Sequence, residues 1–186
     1  MKNLLIIIVL VGFIAGLIFV GIPLYNDYSY KQLIKEADQQ FRNSEYENAR
    51  QKYLKSLSIK PGNPEIYERI AHGYALSRNF PESINYYNKA IELSPNSARI
   101  YFNLGRVYED SGNINDAIKM YLKTLELDQN HPTARRYLGR IYFENNKQEE
   151  AVRILKESAG RDPEASDQMN YVKLSEYLIK TGKSDE

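Results

Sequence analysis

Residues 98–131 read ARIYFNLGRVYEDSGNINDAIKMYLKTLELDQNH. Tyr101, Leu104, Gly105 and Tyr108 fall at helical spacing, the turn signal Ser111-Gly112-Asn113 follows, and Ala117, Tyr121 and Thr124 take up helical spacing again. Thirty-four residues earlier the same places hold Tyr67, Ile70, Ala71, Tyr74, Ser83, Tyr87 and Ala90. Thirty-four later they hold Arg135, Leu138, Gly139, Tyr142, Ala151, Leu155 and Ser158. A fixed period of this length is the mark of stacked helical hairpins. It predicts an all-α fold and directs the search for function toward a binding surface.

Carried in both directions, the period divides the chain into repeats 30–63, 64–97, 98–131 and 132–165. Each has two predicted helices joined by a short turn: Asn43-Ser44, Arg78-Asn79, Ser111-Gly112-Asn113 and Asn145-Asn146. Pro81 suits the first turn of a helix, where a missing N–H costs nothing. Pro61, Pro95 and Pro163 stand at one offset near the repeat ends, where proline stops the second helix. After 165 the register slips, and Tyr171, Leu174, Ser175, Leu178 and Gly182 predict a capping helix over 166–182, with 183–186 a frayed tail.

The repeated residues have a steric reason. Small side chains at Ala37, Ala71, Gly105 and Gly139, and at Ala49, Ser83, Ala117 and Ala151, suit a crossing where two helix axes approach to ~8–10 Å. Tyr53, Tyr87, Tyr121 and Leu155 fill the space toward the next repeat. Eight of the sixteen tyrosines fall on repeat positions, so the tyrosine excess is architectural and does not indicate a ligand cage.

The first 24 residues differ from the rest. Leu4 to Leu24 carries no charged side chain, and at 1.5 Å per residue it spans roughly 31 Å, the thickness of a bilayer core. It exceeds the apolar region of a cleaved signal peptide and lacks a small-x-small cleavage site. The expectation is an uncleaved transmembrane anchor over 4–24 after a short tail, 1–3. Tyr25, Tyr28 and Tyr30 would then lie in an interfacial aromatic belt. Ser29 and Gln32 have capping-box spacing, which predicts a helix start near Tyr30 and a juxtamembrane linker over 25–29.

Lys2 is the one basic residue in that segment, so 25–186 holds 24 Lys and Arg against 24 Asp and Glu, with no net charge. No global field favours nucleic acid. The absence of cysteine excludes disulfides, thiolate metal sites and cysteine nucleophiles. His72 and His131 stand at unrelated offsets, without ligand spacing around them. No phosphate-binding, dinucleotide or serine-hydrolase motif occurs. We therefore expect no enzymatic activity, cofactor, metal or small-molecule substrate.

Tyr101-x2-Leu104-Gly105-x2-Tyr108 followed by Ala117-x3-Tyr121 resembles the tetratricopeptide-repeat pattern, with Tyr in place of the usual Trp. Repeats two to four carry the resemblance. Repeat one departs from it, because Glu36 and Gln40 occupy places that are usually large and apolar; Phe41 is the expected substitute. The resemblance implies a right-handed α-solenoid of four hairpins plus the capping helix, preceded by the transmembrane helix. It also implies a concave face lined by the first helix of each hairpin. The inward places hold Lys31, Ile34, Lys35, Asp38, Phe41 and Arg42 in repeat one, and Glu65, Glu68, Arg69 and His72 in repeat two. Repeat three offers Arg99, Phe102, Asn103, Arg106 and Glu109, and repeat four Arg136, Tyr137, Arg140, Phe143 and Glu144.

The candidate groove is therefore Arg69, His72, Arg99, Phe102, Asn103, Arg106, Arg136, Tyr137, Arg140 and Phe143. Arginine forks bind carboxylates bidentately, and aromatics give apolar area at small entropic cost. The expected occupant is a protein or peptide segment with acidic residues or a free carboxylate, captured through Arg106 and Arg140. A competing reading has Glu109, Asp110 and Glu144 neutralise these arginines. Chaperone-binding members of the family clamp a C-terminal carboxylate; aligned on Asn103, the other four clamp places hold Glu68, His72, Thr133 and Tyr137, so four of five fail.

The leading functional expectation is a membrane-anchored scaffold in bacterial envelope assembly, secretion or translocation, with the repeats in the periplasm. A second is a cytoplasmic-facing receptor that recruits soluble clients. A third is a homo-oligomerisation module using Gly12 and Gly16 as a G-x-x-x-G face.

Overall fold

The computed structural model describes residues 2–16 and 21–159. Among them the elements are α1 (Lys2–Gly16), α2 (Ile22–Arg42), α3 (Tyr46–Ile59), α4 (Pro64–Leu76), α5 (Phe80–Leu93), α6 (Ala98–Asp110), α7 (Ile114–Leu127), α8 (Pro132–Glu144) and α9 (Gln148–Ala159), and the fold is all-α. The expected capping helix over 166–182 lies outside the described residues. So do residues 17–20 of the expected anchor. Among the described residues no helix is long and apolar enough to cross a membrane.

Local chemistry starts and stops these helices where the period places them. Pro64 and Pro132 open α4 and α8, where φ is already helical and no donor is lost. The Asn63 side chain accepts from Glu65 N at 3.0 Å, and His131 Nδ1 accepts from Ala134 N at 3.1 Å. Each hairpin turn has a left-handed residue at the same offset: Ser44, Arg78, Gly112 and Asn146, with φ of 64°, 57°, 82° and 58°. In each, the amide of the following residue bonds back across the helix end: Glu45 to Gln40, Asn79 to Tyr74, Asn113 to Tyr108, Lys147 to Tyr142. This is a Schellman closure, which satisfies otherwise orphaned carbonyls.

One boundary departs from expectation. The linker over 25–29 is helical, because α2 runs unbroken from Ile22 to Arg42. Pro23 sits in its first turn, where proline is tolerated, and no helix breaker follows before Asn43. Ser29 and Gln32 therefore lie mid-helix, and their capping-box spacing caps nothing. Asp27 ties this early stretch down by accepting from Lys31 at 2.7 Å and from Lys60 at the end of α3.

The chain divides into two compact units, 1–79 and 80–186. In the first, α2 and α3 form a hairpin and α4 packs on α3. Ala37, Ala49, Tyr53, Ile70 and Ala71 are fully enclosed. Arg50 is buried with them; it donates to Gly73 O and Ser77 Oγ, both at 3.1 Å, pairs with Glu47 and lies over the Tyr74 ring. In the second unit α6 pairs with α7 and α8 with α9, α5 packs on α6, and α7 on α8. Its core joins Ala117, Tyr121, Leu138, Ile141, Tyr142, Ala151 and Ile154.

The steric reading of the small residues holds. Ala37, Ala49, Ala71, Ser83, Ala117 and Ala151 have no exposed surface. A Cβ built on Gly105 would stand 2.7 Å from Tyr121 Cε1. In repeat one, Glu36 pairs with Lys52 at 2.5 Å, so a charged bridge between α2 and α3 replaces the apolar contact. Phe41 packs its ring on Tyr46 and His72, with centroids 5.1 and 5.3 Å apart.

Candidate functional site

In the second unit, α6 and α8 bring eight of the ten predicted groove residues onto two helices. Phe102 is their centre. Its ring lies 5.6 Å edge-on from Tyr137, 4.8 Å from His131 and 5.7 Å from Tyr121. Tyr137 in turn lies 5.7 Å from Tyr121, and both Arg136 and Arg140 stand over its face, at 5.6 and 5.3 Å from the centroid. Phe102, Asn103, Tyr137 and Phe143 are half-buried, while Arg99 and Arg106 are exposed. The result is an aromatic floor with cations on and around it. Edge-on ring pairs and cations over a ring face are each favourable by roughly 0.5–1.5 kcal/mol.

Arg140 is already engaged. It bonds Glu109 of α6 and donates to Glu144 at 3.2 Å. Burial works against its charge, but the hydrogen bond and charge of Glu109, then Glu144, hold its pKa above the ordinary arginine value. Glu109 also accepts from Tyr121 OH at 2.8 Å. Burial first, then Glu109, pushes the Tyr121 phenol well above its usual range. The expectation that Arg140 is a free anchor for a partner carboxylate is therefore corrected: the competing reading, internal neutralisation, describes it. Arg106 remains exposed on the same helix as Phe102.

The first unit repeats the arrangement. Tyr53 OH donates to Asp38 at 2.5 Å, and Arg69 of α4 pairs with the same carboxylate at 3.1 Å. Burial first, then Asp38, raises the Tyr53 pKa. His72 is exposed against Phe41. Lys31, Ile34, Lys35, Asp38 and Arg42 border an open, shallow depression along α2. Glu68, also assigned inward, is buried instead.

The sequence reading missed two participants. His131, which has no metal-ligand spacing around it, caps α8 and stacks on Phe102. Tyr121, a space-filling position of the repeat, also holds the Glu109–Arg140 bridge through its hydroxyl. The position of His131 directly before Pro132 is the helix-start signal that could have placed it. Among the described residues no group of His, Asp and Glu could hold a metal ion.

Two tetratricopeptide-repeat family profiles match the chain, over residues 62–130 and 103–166. Together with four equivalent hairpin turns and enclosed small residues, they place the chain in the tetratricopeptide-repeat family. No curated protein matches the sequence. Among solved structures, MamA is similar, with 22% identity over 71% of this chain and 77% of that one, at a TM-score of 0.67. PilF of Pseudomonas aeruginosa is similar over 85% of this chain and 71% of its own, with 17% identity and a TM-score of 0.68. The first TPR of Spaghetti, bound to the HSP90 peptide SRMEEVD, has 23% identity over 64% of this chain and 94% of its own, at a TM-score of 0.59. At these identities the likeness is one of fold.

Proposed function

We propose that this protein is a non-catalytic, membrane-anchored scaffold that captures an extended segment of a partner protein on the α6–α8 face. The carrying observation is the half-buried aromatic floor of Phe102 and Tyr137, bordered by exposed Arg106 and by Asn103. Aromatics and arginine are the residues that dominate binding energy at protein interfaces. The Spaghetti repeats hold a peptide, which supports segment capture as the mode. The HSP90 peptide itself is a poor fit here, since Glu68, His72, Thr133 and Tyr137 occupy the other clamp places. A photocrosslinking residue at Phe102 or Tyr137, used in cells, tests the reading. Capture of one discrete partner through both sites is expected; crosslinking equal to that from a probe at exposed Asn88 of α5 overturns it.

Anchoring is supported by the uncharged run 4–24 and by α1, whose Ile6, Val9, Leu10, Val11, Phe13 and Ile14 are all more than half exposed. At 100° per residue these side chains cover about 200° of the helix surface, and exposed Gly12, Ala15 and Gly16 complete the circle, which is the pattern of a helix in hydrocarbon and not of one packed on a core. We place the repeats on the periplasmic side of a bacterial inner membrane, in an envelope assembly or secretion complex. A single cysteine introduced at 183–186 tests the orientation. Labelling by an impermeant maleimide before the inner membrane is permeabilised is expected, and labelling only afterwards favours the cytoplasmic-facing receptor.

A further inference from the structure

Repeat one has a surface that the repeat fold does not use. Ile22, Leu24, Tyr25 and Tyr28, in the first two turns of α2, are 53%, 65%, 70% and 69% exposed. Four large apolar or amphipathic side chains in seven residues are costly to hold in water. Tyr30, by contrast, belongs to the repeat: its hydroxyl accepts from Asn63 at 2.9 Å, and Lys60 lies 5.3 Å over its ring. The aromatic belt expected at Tyr25, Tyr28 and Tyr30 thus reduces to the first two.

The fold brings a distant segment to the same level. Because α2 and α3 run antiparallel, with Glu36 opposite Lys52 and Asp27 opposite Lys60, the turn after α3 lies beside the early turns of α2. Lys31 and Lys60 flank Asp27, and hydrogen bonds from Lys31 and then Lys60 lower its pKa to about 2. Pro61 and Gly62 follow in an exposed turn. Leu24 closes the apolar run, and Asp27 stands three residues further along an unbroken helix, about 4.5 Å beyond it. The headgroup layer is about 5–7 Å deep on each side of a bilayer.

We infer that Tyr25, Tyr28, Lys31 and Lys60, with the Pro61-Gly62 turn, form a collar that seats repeat one directly on the lipid headgroups. This rests on the anchoring proposed above. Tyr25 and Tyr28 take the interfacial position that suits an apolar ring with a polar tip. Lys31 and Lys60 meet lipid phosphates at the headgroup level. Repeat one is then held at the membrane by a helix that runs unbroken from Ile22 to Arg42.

The test uses the full chain, which lacks native cysteine, in vesicles of phosphatidylethanolamine and phosphatidylglycerol. Single cysteines at Tyr28, Pro61 and Arg42 carry a nitrobenzoxadiazole fluorophore, and a fraction of the lipid carries a headgroup nitroxide. Arg42 is eighteen residues past Leu24, about 27 Å away along α2. Quenching at 28 and 61 should exceed that at 42 at least threefold. Quenching at 28 with 61 no stronger than 42 overturns the collar and leaves the anchor standing. A chain that does not float with the vesicles overturns the anchor as well. Ser58→Cys, on the last turn of α3, is the second probe should Pro61→Cys disturb its turn, and the same threefold excess over 42 decides.

Discussion

Gly105→Ala isolates the contact on which the third hairpin closes. The added Cβ would lie 2.7 Å from Tyr121 Cε1, 2.9 Å from Cδ1 and 3.2 Å from Cζ. Carbon atoms pack at about 3.5–4.0 Å, so the ring must move by most of an ångström. It is poorly placed to do so. Tyr121 is fully enclosed, its hydroxyl is held by Glu109, and Phe102 and Tyr137 pack on its faces and edges. Overpacking of this kind costs about 1–3 kcal/mol. Against it stands a gain of about 1 kcal/mol from replacing a mid-helix glycine with alanine.

The expected net change is a loss of up to about 2 kcal/mol, at roughly 2–4 °C in the thermal midpoint per kcal/mol, read from urea and thermal unfolding of the full chain in detergent by circular dichroism. The sign is the sharp part, since propensity alone would stabilise. Removing the ring by Tyr121→Leu should make Gly105→Ala neutral or stabilising in that background, a coupling of about 1–3 kcal/mol across the cycle. Gly112→Ala is the control. Its φ of 82° strains any side chain, nothing lies within 4 Å of the added Cβ, and its effect should be the same in both backgrounds. A higher midpoint for Gly105→Ala, or an equal change with and without the Tyr121 ring, would refute the steric account.

Further expectations follow from the same structure. Ser44→Gly should stabilise by about 0.5–1 kcal/mol in urea unfolding, because the native φ of 64° is strained for serine and free for glycine. Arg50→Ala should cost about 2–4 kcal/mol by removing charged hydrogen bonds to Gly73 O and Ser77 Oγ together with buried packing; Arg50→Lys should recover little, since an ammonium cannot replace the fork. Tyr53 and Tyr121 have phenol pKa values raised in the fold, so the unfolded chain loses these protons first. Their contribution is complete below about pH 10 and is lost above it, at ~1.4 kcal/mol per pH unit for each; Tyr121→Phe should reduce the alkaline slope of the urea midpoint by one such increment. Arg106→Ala should weaken partner capture with an unchanged thermal midpoint, whereas Arg140→Ala should lower the midpoint by removing the partner of a half-buried Glu109; equal midpoints for the two would sink the distinction.

The architecture was legible because it depends on spacing, and spacing is a property of the sequence itself. Ala37, Ala71 and Gly105 recur because two helices cross at the same place in each hairpin, so the period alone marks the enclosed positions. The start of α2 was not legible, because Ser29 and Gln32 carry a local signal that operates only if the preceding residues leave the helix. Nothing from Leu24 to Tyr28 forces them to leave, and Lys60, contributed by another helix, helps to keep them in. A contact between residues 33 apart settled what the local motif could not.

The ion pairs of the candidate groove were not legible in the repeat period, and the reason is a stagger. Equivalent residues recur every 34 positions, yet Glu109 meets Arg140 and Asp38 meets Arg69 at a separation of 31. Phe41 meets His72 at the same separation. Thirty-one is one repeat less about one helical turn, so α2 and α4 in the first unit, and α6 and α8 in the second, lie side by side but offset by a turn. A carboxylate therefore neutralises an arginine that sits one turn early in the next repeat, and a third partner, Tyr53 or Tyr121, fixes the carboxylate from below. Counted back 31 places from Arg106, the sequence holds Ala75 and no carboxylate. Internal pairing thus consumes Arg140 on the α6–α8 face while Arg106 of α6 stays exposed, and it is the stagger, not the arginine content, that separates the two.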